Sequence, residues 1–228
     1  MKNSIILIIL SISVLFYTGC NDGGGGTPAS LTDFIIWAEV DSFLVEGKTE
    51  VAVYIFNSGF TAAIPNVTVT VESTTIGSHN VPFDNNITVQ QYLKTVNTAV
   101  PETEDVTIRF EYKGETIALD VAVPEQPSNV TPSGGFLDPT IDQDFTVDPF
   151  VVEPDFYRLD LAAADAADDI MTMYYGFNEQ MSIWANDMKV KPSIDLEIKS
   201  GNEYPTQFTD SGSSYEVMNT VVVNIATQ

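Results

Sequence analysis

Four aspartates, Asp138, Asp142, Asp144 and Asp148, fall within eleven residues, with Glu153 and Asp155 close behind. Carboxylates crowded onto irregular backbone suit calcium, which collects roughly six to eight oxygen ligands. The spacing differs from an EF-hand loop, which needs a glycine at its sixth position and a closing glutamate. These four aspartates are the candidate calcium ligands, and the plainer reading is a solvated acidic linker. The one histidine, His79, lies in the turn-like Gly77-Ser78-His79-Asn80, and an exposed loop histidine lacks the burial and orientation of a general base. Met171, Met173, Met181 and Met188 carry soft thioethers that suit Cu(I), although methionines more often fill irregular cores. Asp168 and Asp169 are adjacent, so neither a strand nor a helix aims both at one substrate. Trp37 and Trp184 could stack on sugar rings or plug a sandwich core. No nucleophile elbow or zinc-protease helix occurs, no residue is assigned a catalytic role, and the chain is expected to be no enzyme.

Cys20 is the only cysteine. Lys2 supplies a positive start, an apolar stretch from Ile5 to Phe16 follows, and Tyr17-Thr18-Gly19-Cys20 closes the segment with small residues before the thiol. An apolar run of about twelve residues is too short to span a bilayer, which takes roughly 20. It has the form of a signal peptide, residues 1–19. The closing tetrapeptide looks like a lipobox, with Tyr17 where leucine is usual. A lone cysteine cannot pair within its own chain, whereas a diacylglycerol thioether on Cys20 explains both its position and its solitude. Two or three acyl chains, at about 0.8 kcal/mol per buried CH₂, anchor a protein stably. Residues 20–30 then form a tether. The run Gly23-Gly24-Gly25-Gly26 loses too much backbone entropy on ordering to fold locally. Asn21 stands where an aspartate retains some lipoproteins at the inner membrane, so the outer membrane or cell surface is the expected location.

The chain has 228 residues, a net charge of −23 and 44% hydrophobic residues. That apolar content builds a core and excludes a disordered acidic tail. The charge repels nucleic acid and anionic lipid, so no nucleic-acid partner is expected.

These groups must be positioned by strands. Val67, Val69 and Val71 alternate with Thr68, Thr70 and Glu72, giving the period-two pattern of a half-buried strand. Val106, Ile108, Phe110 and Tyr112 alternate with Asp105, Thr107, Arg109 and Glu111. Lys113-Gly114 then supplies a tight turn, and Ile117, Leu119, Val121 and Val123 return, which predicts a hairpin. Val51-Ala52-Val53-Tyr54-Ile55-Phe56 is apolar on both faces, as a central strand should be. Residues 34–40 open the unit, and Val81, Phe83, Ile87 and Val89 belong to weaker middle strands. Short strands at regular spacing predict an all-β, immunoglobulin-like β-sandwich over residues 31–124.

The run Glu50-Val51-Ala52-Val53-Tyr54-Ile55-Phe56-Asn57-Ser58-Gly59, then Thr61-Ala62-Ala63 and Val67-Thr68-Val69-Thr70-Val71, resembles the CARDB family, the cell-adhesion-related domain found in bacteria. Its pattern is a strand, an Asn-x-Gly turn, small residues and an alternating valine strand. The resemblance covers about a quarter of the chain after the signal peptide. It implies extracellular, usually tandem, non-catalytic modules and brings no catalytic residues with it.

Residues 125–149 are rich in proline and aspartate and read as a connector. Residues 150–228 read as a second, divergent sandwich module. Asp155-Phe156 matches Asp33-Phe34, and Tyr174-Tyr175-Gly176-Phe177-Asn178 aligns near Val53-Tyr54-Ile55-Phe56-Asn57. Ile194, Leu196 and Ile198 alternate with Ser193, Asp195, Glu197 and Lys199, and Val221, Val223 and Ile225 form a last strand. Alanine-rich residues 161–169 suit a short helix inserted between the first two strands. The expected function is adhesion, display or assembly at the cell envelope, through an unidentified protein or glycan partner. The alternative is a small envelope hydrolase or carbohydrate-binding accessory working through carboxylates or exposed aromatics.

Overall fold

A computed structural model describes residues 30–57, 66–84, 91–129, 131–132, 138, 140–148, 150–163, 172–176, 180–183, 193–206, 208–209 and 212–226. Cys20, the expected tether before Ser30, Asp168, Asp169, Met171, Met188 and Trp184 lie outside these residues, as do Ser58, Gly59 and residues 61–63 of the CARDB-like run. So do Ile87 and Val89, and Phe177 and Asn178 of the proposed repeat.

The chain is an all-β, immunoglobulin-like sandwich. A 3-10 turn, Leu31–Asp33, leads into β1 (Phe34–Phe43), β2 (Lys48–Asn57), β3 (Thr68–Ser73), β4 (Gly77–Asn80), β5 (Phe83–Asp84), β6 (Gln91–Val96), β7 (Asp105–Tyr112) and β8 (Glu115–Ala122). There follow β9 (Thr131–Pro132), β10 (Gln143–Thr146), β11 (Phe156–Ala163), β12 (Thr172–Gly176), β13 (Gln180–Ile183), β14 (Ser193–Glu203) and β15 (Ser214–Ala226).

The β7–β8 hairpin forms in the predicted register, from Asp105↔Ala122 to Tyr112↔Glu115. Lys113 (φ 50°) and Gly114 (φ 85°) both turn through positive φ, the two-residue geometry that matches the twist of paired strands. With β4 and β3 they make a four-stranded sheet, ordered β4-β3-β7-β8. Its valine, isoleucine and phenylalanine face packs on Phe34, Ile36, Ala38 and Val40 of β1 and Val51, Val53 and Ile55 of β2. Burying one such side chain contributes about 1.5–3 kcal/mol.

The opposing layer is a single eight-stranded sheet, ordered β12-β11-β14-β15-β1-β2-β6-β5. The strand latest in sequence, β15, pairs in parallel with β1, from Trp37↔Ser214 to Ser42↔Asn219. Tyr215 and Val217 of β15 belong to the same core as the β1–β8 strands, and the Tyr215 hydroxyl donates to the Val106 carbonyl at 2.9 Å. The expected boundary at residue 124 separates these segments in sequence only. In space the first sandwich is completed by a strand some ninety residues beyond that boundary.

The end of β8 and the start of the connector are held to this shared sheet. Asn219 Nδ2 donates to the Pro124 carbonyl at 3.0 Å, Ser200 Oγ to Glu125 at 2.5 Å, and Asn202 Nδ2 to Ala122 at 2.9 Å. Further on, residues 125–149 depart from a plain spacer. They contribute β9 and β10 to a three-stranded sheet ordered β13-β10-β9, in which Phe145 and Val147 are buried between exposed Asp144, Thr146 and Asp148. That period-two pattern was masked in sequence by the surrounding prolines and aspartates. Two other expectations change. Gly77–Asn80 is strand β4 rather than a turn, and residues 161–163 extend β11 rather than beginning a helix; residues 164–169 are not described.

Candidate functional site

The alternation in β14 puts Glu197 and Lys199 opposite Leu196 and Ile198, which suggests a solvated polar edge. Both faces are buried instead. Lys199 is 2% exposed, Arg158 0%, and Asp41, Asp160, Glu197 and Glu39 are buried with them. They share the sheet face that points away from the four-stranded layer.

Strand geometry explains the grouping. Side chains two residues apart on a strand share a face, so Glu39 and Asp41 on β1, Arg158 and Asp160 on β11, and Glu197 and Lys199 on β14 each present a pair. Register then sets like against like, because Arg158 lies directly across from Lys199 and Asp160 across from Glu197. Such pairs repel. The repulsion is offset along the strands and diagonally. Lys199 Nζ lies 2.6 Å from Asp41, 3.2 Å from Asp160 and 3.2 Å from Glu197. Arg158 Nε is 3.1 Å from both Asp160 oxygens, and its Nη1 is 3.3 Å from Glu39 Oε1. Thr220 on β15 donates its hydroxyl to Asp41.

Among the described residues, two cations thus serve these four carboxylates. Glu39 Oε2 is buried with no hydrogen-bond donor. Burial pushes the Glu197 carboxyl above its ordinary value; Lys199 draws it back, and Asp41 and Asp160 push it further up. Burial by itself favours loss of the Lys199 proton, but Asp41, Asp160 and Glu197 prevail and hold the ammonium well above its ordinary value, against Arg158. The Tyr54 hydroxyl on β2 is likewise pushed up, by burial and then by Glu39. The array holds charge in a fixed place and is shielded from solvent, so its chemistry acts on the sheet that contains it.

A second, open feature lies at the β14–β15 connection. Asp155, Glu203, Tyr204, Pro205, Thr206, Gly212, Ser213 and Ser214 line a cleft of about 520 Å³. Asp155 accepts the Glu203 amide at 2.9 Å, and Ser213 Oγ accepts the Ile36 amide at 2.8 Å.

Of the residues singled out in sequence, Asp155 lines the cleft and Trp37 bonds to its Gly212, whereas the four candidate calcium ligands and His79 belong to neither feature. Asp138 accepts the Thr140 amide at 2.9 Å and its hydroxyl at 2.6 Å, and those bonds hold its carboxyl below the ordinary value. Asp142 and Asp144 are exposed, and Asp148 accepts from Asn129. Among the described residues no three acidic, histidine or cysteine side chains are grouped to hold a metal ion. His79 sits half-buried on β4 with Nε2 2.8 Å from the Ile76 carbonyl. Trp37 is half-buried, packs edge-on against Phe56 at 5.3 Å and donates to Gly212 at 3.4 Å.

No protein-family model matches the chain, and neither does any curated protein sequence. Solved structures give loose matches. A two-domain fibronectin type-III segment of chicken tenascin is 11% identical, with 83% of this chain and 97% of that one covered and a TM-score of 0.32. A cytokine receptor complex is 10% identical over 83% of this chain and 95% of that one, with a TM-score of 0.32. Overlaps this loose transfer nothing from those proteins to this one.

The charge cluster was legible in one respect. Only nine lysines and arginines occur in the chain, and Arg158-x-Asp160 and Glu197-x-Lys199 each pair one with an acid at strand spacing.

Proposed function

We propose that this chain is an envelope lipoprotein, joined to a membrane through lipid on Cys20, that presents a CARDB-like β-sandwich body as a non-catalytic module for adhesion, display or assembly. The observation that carries the reading is the sole cysteine, placed directly after a short apolar run and directly before a glycine-rich tether. The body supports it by gripping the tether where the two meet. Ser30 Oγ and the Leu31 amide both donate to Glu115 at 2.7 Å, and the Ser30 amide donates to Asp33 at 2.9 Å. Pull on the tether therefore passes into the β7–β8 hairpin rather than unravelling β1. Recognition of a protein or glycan partner falls to sheet edges and loops, at the outer membrane or cell surface.

Intact-mass spectrometry of the full-length protein expressed in a bacterium tests this. The expected product begins at Cys20 and carries a diacylglycerol thioether, while Cys20→Ser yields no lipidated species. A wild-type product without lipid on Cys20 overturns the anchor.

A second reading, a carbohydrate-binding accessory, is favoured by the cleft in which Asp155 and Glu203 stand beside Tyr204, since its volume falls within the roughly 300–1,000 Å³ of small-ligand sites. Glycan-array binding lost in Tyr204→Ala supports that reading, and absence of any glycan binding removes it.

A further inference from the structure

Among the described residues, the six buried charges of the cluster do not balance. When all are ionised, four carboxylates face two cations, and Asp160 and Glu197 stand directly opposite each other on neighbouring strands. Lys199 divides its three donors among Asp41, Asp160 and Glu197, while Arg158 spends its Nε on Asp160 and reaches Glu39 with Nη1. A proton placed between the opposed carboxylates relieves their repulsion and adds a hydrogen-bond donor where acceptors are in excess. Aspartic-protease dyads share a proton for the same reason.

The location gives that proton a consequence. Asp41 and Glu39 belong to β1 of the first sandwich, and Arg158, Asp160, Glu197 and Lys199 to β11 and β14. The pairs Lys199–Asp41 and Arg158–Glu39 thus tie the two halves of the chain across β15.

We propose that this cluster is a pH-sensitive latch, holding β1 to β11 and β14 most firmly while Glu197 carries a proton and loosening as that proton leaves.

The groups that face Glu197 are known among the described residues. Its own strand contributes Lys199 and Asp195, β11 contributes Asp160 and Arg158, and β1 contributes Asp41 and Glu39. On β15 its direct neighbour is Val222, followed by Thr220, and neither titrates. On β2, beyond β1 from Glu197, Glu50 stands directly across from Asp41 and is paired with Lys48 at 2.7 Å, and Tyr54 lies across from Trp37. Neutralising Glu197 leaves three carboxylates on two cations. Its ionisation restores the excess, and the buried location denies solvent screening.

The sign follows from linkage. Glu197 has its folded-state value raised above the ordinary 4.5, so the folded protein binds the extra proton between the two values. The stability this contributes is complete below about 4.5 and is lost as pH rises through the folded value. The latch therefore loosens as pH rises from mild acid.

Melting temperatures of the full chain and of Glu197→Gln, measured from pH 5 to pH 8, test the proposal. Both carry nearly the same net charge, so general repulsion cancels in the comparison. The glutamine mimics the protonated acid. The expected result is the smallest gap at pH 5 and a widening gap above it, with the variant higher by about 3–5 °C per pH unit traversed up to the folded value. Parallel melting profiles overturn the latch. Should Glu197→Gln fail to fold, carbon-detected titration of the wild-type Glu197 carboxyl decides. A midpoint above 4.5 supports the latch, and one at or below 4.5 overturns it.

Discussion

Lys199 on β14 places its Nζ 2.6 Å from Asp41 on β1, although β15 runs between the two strands. Two strand spacings are about 9.6 Å, so the lysine stem lies across β15 and its head meets the carboxylate on the far side. Arg158 reaches one strand further, from β11 to Glu39 on β1, and passes within 3.9 Å of the Met218 sulfur on the way. The two long cations act as cross-braces on a sheet assembled from opposite ends of the chain.

Removing one brace leaves the other charges stranded. Lys199→Met withdraws the counter-ion of Asp41, Asp160 and Glu197, and a buried pair broken this way costs about 3–5 kcal/mol. Urea unfolding measures it. Arg109→Gln breaks the Arg109–Glu72 pair (3.2 Å), whose side chains are about a third exposed, so less than about 1 kcal/mol is expected.

The tip of the Phe156 ring covers Gly201 in the neighbouring strand. A Cβ at Gly201 would meet Phe156 Cζ at 2.1 Å, so the glycine is required by close approach and not by backbone angle. Gly201→Ala displaces the ring and is expected to lower stability by about 1–3 kcal/mol. Adding Phe156→Leu to that variant should recover part of the loss, and denaturant midpoints of both report it.

Tyr215 tests the closure of the first sandwich from the far end of the chain. Tyr215→Phe removes the hydrogen bond to Val106 and is expected to cost about 0.5–1.5 kcal/mol. Tyr215→Ala also opens a cavity and should cost about 3–5 kcal/mol. Amide exchange in Tyr215→Ala should quicken in β7, although the substitution lies a hundred residues away in sequence.

The clamp of Glu115 on Ser30 and Leu31 has its own pH signature. Hydrogen bonds from the Leu31 amide and the Ser30 hydroxyl hold the Glu115 carboxyl below its ordinary 4.5. The clamp's contribution is therefore present above about 4.5 and is lost as pH falls through the lowered folded value. Glu115→Gln should speed exchange of the Leu31 amide at neutral pH, where the wild type protects it.

Much of the fold could be read from residue order, and the limits have physical causes. The β7–β8 hairpin was legible because its inner face is apolar at every second position and Lys113-Gly114 suits the turn. The strand β6 was missed because Gln91, Lys94 and Thr95 interrupt its alternation, although Tyr92 and Val96 are buried. The pairing of β15 with β1 carries no local signal, since a parallel partner about 180 residues away leaves no turn to recognise. The charge cluster was hidden for a related reason. Alternation marks which residues share a face, but not whether that face meets water, and Glu197 and Lys199 look solvated until β11 and β15 are known to flank them, with β1 just beyond.

The central claim is that one sheet, shared by strands from both halves of the chain, makes a single body. Calorimetry of residues 30–228 tests it most directly, compared with the fragment 31–124. A single unfolding transition whose calorimetric and van't Hoff enthalpies agree is expected, together with no cooperative melting of a fragment that lacks β15. Two separate transitions, with a fragment that melts as sharply on its own as it does in the whole, would contradict the shared sheet.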